Sequence, residues 1–180
     1  MSRRIAIVAS ASGSGKTTVG RTVSDGLGVP FVELDALVHG PNWQEAPTEE
    51  VVAELRPVLA GAGWVVDGGY WGKIGSVVLE AADEVVWLDL PRRVWLPRLA
   101  RRTWSRVVRR QPLWNGNRET LRDALWGRNA LFPHALRNYR RRQREYPARL
   151  ARYPLTHLRT PVEVEDWIAR TVDPPREKAG

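Results

Sequence analysis

The stretch RIAIVASASGSGKTT, residues 4–18, limits what this chain can fold into more than any other. Ile5, Ile7 and Val8 supply a short apolar strand that runs directly into a loop of small residues carrying a single lysine. The spacing is that of a Walker A phosphate-binding loop, G-x-x-x-x-G-K-[ST], met at Gly15, Lys16 and Thr17, with Ser10 in the place of the leading glycine. Gly13 and Gly15 permit backbone conformations in which successive N–H groups converge on phosphate oxygens, and a helix starting near Lys16 adds the positive end of its dipole. Lys16 is placed to reach the β- and γ-phosphates, and the Thr17 hydroxyl to ligate Mg²⁺. Ser10, Ala11, Ser12, Gly13, Ser14, Gly15, Lys16, Thr17 and Thr18 are thus the candidate nucleotide-binding residues.

The 180 residues suit one domain with a proper core. With no cysteine, neither a disulfide framework nor a thiolate metal site is available, and His39, His134 and His157 are too scattered to indicate zinc. The N-terminal apolar run is too short for a secretory signal, and no later run approaches the about 18 apolar residues of a membrane span, so a soluble cytoplasmic protein is expected. The formal net charge is +8, and apart from Lys16, Lys73 and Lys178 every basic residue is arginine. That side chain suits bidentate phosphate recognition, which directs attention to nucleotides or nucleic acid.

Along the chain, the pattern predicts a helix over 16–27 and a strand over 31–34 with Asp35 at its carboxyl end. A loop is expected over 36–47, then a helix capped by Thr48 and kinked or ended by Pro57. Strands are expected over 64–67 and 84–89, with a short helix over 73–82 between them. Basic helical stretches follow over 92–110, 118–126 and 133–153, with Pro97 awkward in the first and Pro147 bending the last. A strand over 156–159, a helix over 162–172 and a disordered tail over 173–180 close the chain. Strands that are nearly continuous in apolar residues and alternate with helices imply a parallel sheet covered on both faces, an α/β architecture.

The loop SASGSGKTT, the strand ends VVDGG and LDLP, and the arginine-rich helix that follows together resemble the small P-loop kinases of the adenylate and shikimate kinase type. More narrowly, LDALVHGPNW, WVVDGGYW and LWNGNRE resemble the bacterial topology modulation proteins, an adenylate kinase-like group. The resemblance implies a three-layer P-loop NTPase fold, with a five-stranded parallel sheet in the order 2-3-1-4-5 and a helical lid near 103–129. It also implies an acceptor-binding segment near 35–60, and ATP with Mg²⁺ as the phosphoryl donor. It makes Asp67 the carboxylate that orients Mg²⁺, and Arg98 and Arg102 the pair that clasps ATP and the transferring group. Arg118 and Arg122 become lid arginines, with Arg137 or Arg140 completing the clamp.

The acceptor is less defined. Where nucleoside monophosphate kinases follow the Asp-Gly pair with a phosphate-binding arginine, this chain has Gly69, Tyr70 and Trp71. The acceptor segment carries Glu33, Asp35, Glu45, Glu49, Glu50 and Glu54, a poor setting for a phosphate dianion unless Lys73 or Arg56 compensates. A hydroxyl acceptor would benefit from a base, and Asp35 stands at the right position, either as an acceptor or Mg²⁺-shell ligand or as a turn or helix-capping aspartate. Asp89 reads as structural, and Trp43 and Trp71 either stack on an acceptor or belong to the core. The sequence reading is thus a kinase acting on a nucleotide, nucleoside or other small hydroxyl compound. The alternative is a nucleotide-dependent nucleic-acid-binding protein affecting DNA topology, supported by the arginine helices.

Overall fold

The computed structural model describes residues 3–69, 74, 77–109, 115 and 130–173. Expectations for Tyr70, Trp71, Lys73, Arg118 and Arg122, for the basic stretch 118–126, for most of the lid segment and for the tail after Asp173 lie outside these residues.

Five strands form one parallel sheet: β1 (Arg4–Ala9), β2 (Phe31–Glu33), β3 (Trp64–Asp67), β4 (Glu84–Leu88) and β5 (Leu155–Leu158), in the order β2-β3-β1-β4-β5. The helices between them are α1 (Lys16–Leu27), α2 (Leu34–Val38), α3 (Thr48–Leu59), α4 (Val77–Ala81), α5 (Arg92–Val108), α6 (Leu131–Leu150) and α7 (Pro161–Val172). The alternation of side chains along β1 shows why three layers result. Ile5, Ile7 and Ala9 face a core shared with Val19 and Val23 of α1 and Val164 and Trp167 of α7. Ala6 and Val8 face the other way, into a core with Leu34, Val51, Leu55, Val78, Tyr146 and Leu150 from α2, α3, α4 and α6. Both faces are apolar because both are covered.

A third cluster sets the loop in place. Trp95 and Leu99 of α5 and Ala135 and Tyr139 of α6 pack around Ala11, at the start of the phosphate loop. Gly13 is pressed against this wall: a Cβ there would stand 2.8 Å from the Trp95 carbonyl oxygen, and its φ of 85° lies in the left-handed region.

Several local expectations are corrected. The strand expected over 31–34 ends at Glu33, so Asp35 lies in the first turn of α2 instead of at a strand end, and the supposed loop over 36–47 contains α2 and a 3-10 turn, Pro41–Trp43. Pro47, not Thr48, is the N-cap of α3, and no side chain caps it. Pro57, Pro97 and Pro147 sit inside α3, α5 and α6 without ending them. Each is exposed, so the carbonyl that loses its amide partner is left to water.

Candidate active site

The parallel register brings the acidic groups together. Asp67 ends β3, with Ile7 of β1 as its neighbour on one side and Glu33 of β2 on the other, so Asp67 and Glu33 lie side by side at the carboxyl edge of the sheet. The first turn of α1 faces this edge. Thr17 Oγ1 lies 2.8 Å from Asp67 Oδ2 and 3.1 Å from Glu33 Oε1, so a single hydroxyl proton faces two carboxylates. Lys16 Nζ stands 3.8 Å from Asp67 Oδ1, and Arg21 lies 3.8 Å from Glu33 Oε2.

Asp67 is fully buried, and its Oδ1 accepts no hydrogen bond. Burial pushes its carboxyl above the usual carboxylate range, opposed by Lys16 and by the Thr17 hydrogen bond, with Glu33 and Asp35 pushing it further up. A buried carboxylate oxygen without a hydrogen-bond donor, beside a second carboxylate and a hydroxyl, is a donor set that a hard divalent cation fits. Thr17 and Asp67 would hold Mg²⁺ here, directly or through water.

The rest of the loop opens onto a cavity of about 1170 Å³, lined by Ser12, Gly13, Ser14, Gly15, Lys16, Thr17 and Thr18. Ser10 and Ala11 lie behind this lining. Ser10 is wholly buried, and its hydroxyl donates to Asp89 Oδ1 at 2.6 Å and accepts from Trp87 Nε1 at 2.9 Å. The residue in the place of the leading glycine therefore ties the loop to the end of β4. Asp89 also accepts from Gln143 of α6 at 3.2 Å and meets His157 Nε2 at 3.2 Å, while the His157 ring stacks on Trp87 at 3.8 Å. The structural reading of Asp89 agrees with these contacts.

Arginines crowd in beside the loop, where Arg98 Nη1 stands 4.0 Å from the place of a Cβ on Gly15. Arg98, Arg102 and Arg106 recur at four-residue spacing along α5, and all three line the cavity. From α6 come His134, Asn138 and Arg142, at the same spacing; Asn138 Nδ2 and His134 Nε2 are 2.6 Å apart, and Arg142 donates to the Ala9 carbonyl at 3.1 Å. Burial and the neighbouring Arg142, Arg137 and Arg141 hold His134 below the usual imidazole range. The α6 arginines named from the sequence, Arg137 and Arg140, are exposed and do not line the cavity. Sequence reasoning missed Glu33, Arg106, His134, Asn138 and Arg142. The periodic signal for the last four was present: Arg98-Arg102-Arg106 and His134-Asn138-Arg142 each mark one face of a helix.

The end of the cavity nearest the sheet edge has a different character. Glu33, Asp35, His39, Trp43, Glu45, Gly68 and Gly69 line it. Trp43 is 42% exposed, so it belongs to the cavity wall and not to the core. Arg56 is exposed on α3 and does not line the cavity, so it cannot stand in for the missing acceptor arginine.

Comparison with known proteins bears on the fold. A family model for shikimate kinase matches residues 12–55, from the loop through the first two thirds of α3. A shikimate kinase from Synechococcus elongatus is 29% identical, covering 50% of this chain and 52% of its own, so the chain spans about half the length of the curated relatives it matches. Over nearly the whole chain, the structure superposes on a shikimate kinase from Acinetobacter baumannii in complex with shikimate, with a TM-score of 0.55 at 18% identity, covering 93% of this chain and 90% of that one. The fold is that of the small P-loop kinases. A gluconokinase from Sinorhizobium meliloti 1021 shares it too, with a TM-score of 0.52 at 18% identity and coverage of 94% and 89%. The three-layer P-loop architecture and the strand order implied by the sequence resemblance are therefore both present. No described helix is long and apolar enough to cross a membrane.

Proposed function

We propose that this P-loop protein is an ATP-dependent kinase that transfers the γ-phosphoryl group to a hydroxyl of a small acceptor. The observation that carries the reading is the cavity itself. At one point Lys16, Thr17 and Asp67 meet, and three arginines from α5 and one from α6 line the same cavity of about 1170 Å³, Arg98 close beside Gly15. Such a wall serves a reaction in which negative charge shifts toward the leaving oxygen, because fixed cations stabilise it without reorganising.

Among its own residues, the loop from Ser12 to Thr18 holds the phosphates, and Arg98 and Arg102 brace the transferring group. Mg²⁺ would draw charge from the phosphate oxygens. Asp35, at the cavity wall beside the sheet edge, takes the proton as the acceptor oxygen bonds to the γ-phosphorus. The bond from phosphorus to the bridging oxygen breaks, and ADP leaves with that electron pair.

The test measures ADP release from Mg²⁺-ATP with nucleosides, nucleoside monophosphates and small hydroxyl compounds, for the native protein and for Lys16→Ala and Arg98→Ala. Acceptor-dependent release lost in both variants is expected. A second reading rests on Arg93, Arg101, Arg140, Arg141 and Arg144, which stand exposed outside the cavity on α5 and α6. If duplex DNA and no small acceptor raises turnover, with binding that falls steeply with salt, that surface is the functional one and the kinase reading fails.

A further inference from the structure

Trp43 is held in a conformation that large side chains avoid. Its φ is 59°, and the one other non-glycine residue with positive φ among the described residues is Asn115, a type that tolerates it. The turn that imposes this is closed by backbone contacts. Residues 39 and 45 form an antiparallel bridge, Gly40 N–H donates to the Gln44 carbonyl at 2.7 Å, and Ala46 N–H donates to Val38 at 2.8 Å. Asn115 Nδ2 donates to the His39 carbonyl at 2.6 Å, and the His39 ring meets the Trp43 ring edge-on at 5.6 Å. The surroundings thus hold an indole, 42% exposed, on the wall of the cavity. The strained backbone sits at an aromatic on the cavity wall, and such outliers concentrate where a ligand is clamped.

The charges around it restrict the ligand. Glu33, Asp35 and Glu45 share this end of the cavity, and no lysine or arginine from residues 31–69 lines it. An anionic acceptor would meet carboxylates here, whereas a flat ring finds an aromatic face and its hydroxyl or amino groups find acceptors.

We infer that Trp43 is the platform on which the acceptor lies, and that the acceptor is a ring-bearing hydroxyl compound without a negative charge. The inference rests on the kinase reading for the fate of that hydroxyl, but the binding it describes is separately measurable. Trp43 sets specificity by contact, leaving the phosphates to the arginine wall.

The experiment labels the protein with fluorotryptophan, assigns the residue 43 resonance by its loss in Trp43→Phe, and titrates adenosine, pyridoxamine, AMP and shikimate. Adenosine or pyridoxamine is expected to shift that resonance, and AMP and shikimate to leave it in place. With whichever compound supports ADP release, Trp43→Gly is expected to raise acceptor KM about 5- to 150-fold, the range of single aromatic stacking contacts, with KM for ATP within about twofold. Its Tm is expected to stay within about 2 °C, because glycine accepts the left-handed backbone at little cost. A residue 43 resonance unmoved by both ring compounds, or a stronger response to AMP or shikimate, overturns the inference. If the resonance responds but ADP release never depends on an acceptor, the platform stands and the kinase reading falls. Acceptor-dependent release that is indifferent to Trp43→Gly has the opposite meaning.

Discussion

Replacing Asp67 by asparagine should make the ligand-free protein more stable and the nucleotide-loaded protein less so. The carboxylate is fully buried, and one of its oxygens accepts no hydrogen bond. Keeping an ionised carboxylate out of water is penalised more heavily than keeping a neutral amide there. Asparagine keeps an acceptor for Thr17 while removing the charge and its repulsion from Glu33 and Asp35, and Lys16, which loses its partner, is partly exposed to water. A net gain of about 1 kcal/mol is reasonable, equivalent to about 2–4 °C in Tm for a chain of this size. The pH dependence has a definite sign. Burial raises the native pKa above its ordinary value of 3.8, so between the two the native state binds more protons than the unfolded chain, and the stability Asp67 contributes declines as pH rises through that window. The advantage of Asp67→Asn over the native protein should therefore be small near the lower limit, grow with pH and level off above the raised value. With Mg²⁺-ATP at about 100 times its Kd the order reverses: the native protein gains about 2.7 kcal/mol, whereas a variant binding 10- to 100-fold more weakly gains only about 0.4–1.4 kcal/mol. Thermal unfolding from pH 4.5 to 8, with and without Mg²⁺-ATP, gives all four quantities. A lower Tm for ligand-free Asp67→Asn, or an advantage that shrinks with rising pH, would refute the reasoning.

Ser10→Gly restores the strict loop pattern, yet it should lower stability by about 1–3 kcal/mol, since the buried Trp87 Nε1 loses its acceptor and Asp89 one of its donors; denaturant unfolding would show this, and an unchanged midpoint would exclude the anchoring role. Gly13→Ala places a methyl 2.8 Å from the Trp95 carbonyl at positive φ, and should cost about 1–3 kcal/mol and weaken ATP binding, read by calorimetry. Arg142→Ala should lower kcat about 100-fold, as for loss of one charge-stabilising donor, while the exposed Arg137→Ala leaves it unchanged; equal effects would remove Arg142 from the cavity wall's function.

The fold was largely legible because its signals are local and redundant. The strand cores of β1, β3 and β4 are continuous apolar runs, and α1 is bounded by the Lys-Thr pair and by Gly28. Proline was ambiguous: at 57, where a kink or an end was expected, it lies inside the helix on an exposed face, as do Pro97 and Pro147, a placement that depends on what each helix packs against. At the site, Lys16, Thr17 and Asp67 were visible as motif residues. Glu33 was not, because its place beside Asp67 follows from the β2-β3 register, which one strand's sequence does not contain. Choosing among the arginines of α6 failed for a related reason: Arg142 is distinguished from Arg137 and Arg140 by helix orientation, fixed by the burial of Ala135, Tyr139 and Tyr146.

The anchoring of Ser10 also bears on when, during folding, the chain acquires its ability to hold a nucleotide. Asp89 lies 79 residues beyond Ser10, and the partners that steady Asp89, Gln143 and His157, are further along still. Contacts of such long range close late, after the local helices and the first strand pairs have formed. A chain emerging N-terminus first has its Walker A residues in hand before β5 and α6, which must dock before the loop has a fixed entrance. On the proposed function, nucleotide capture would therefore report completion of the sheet.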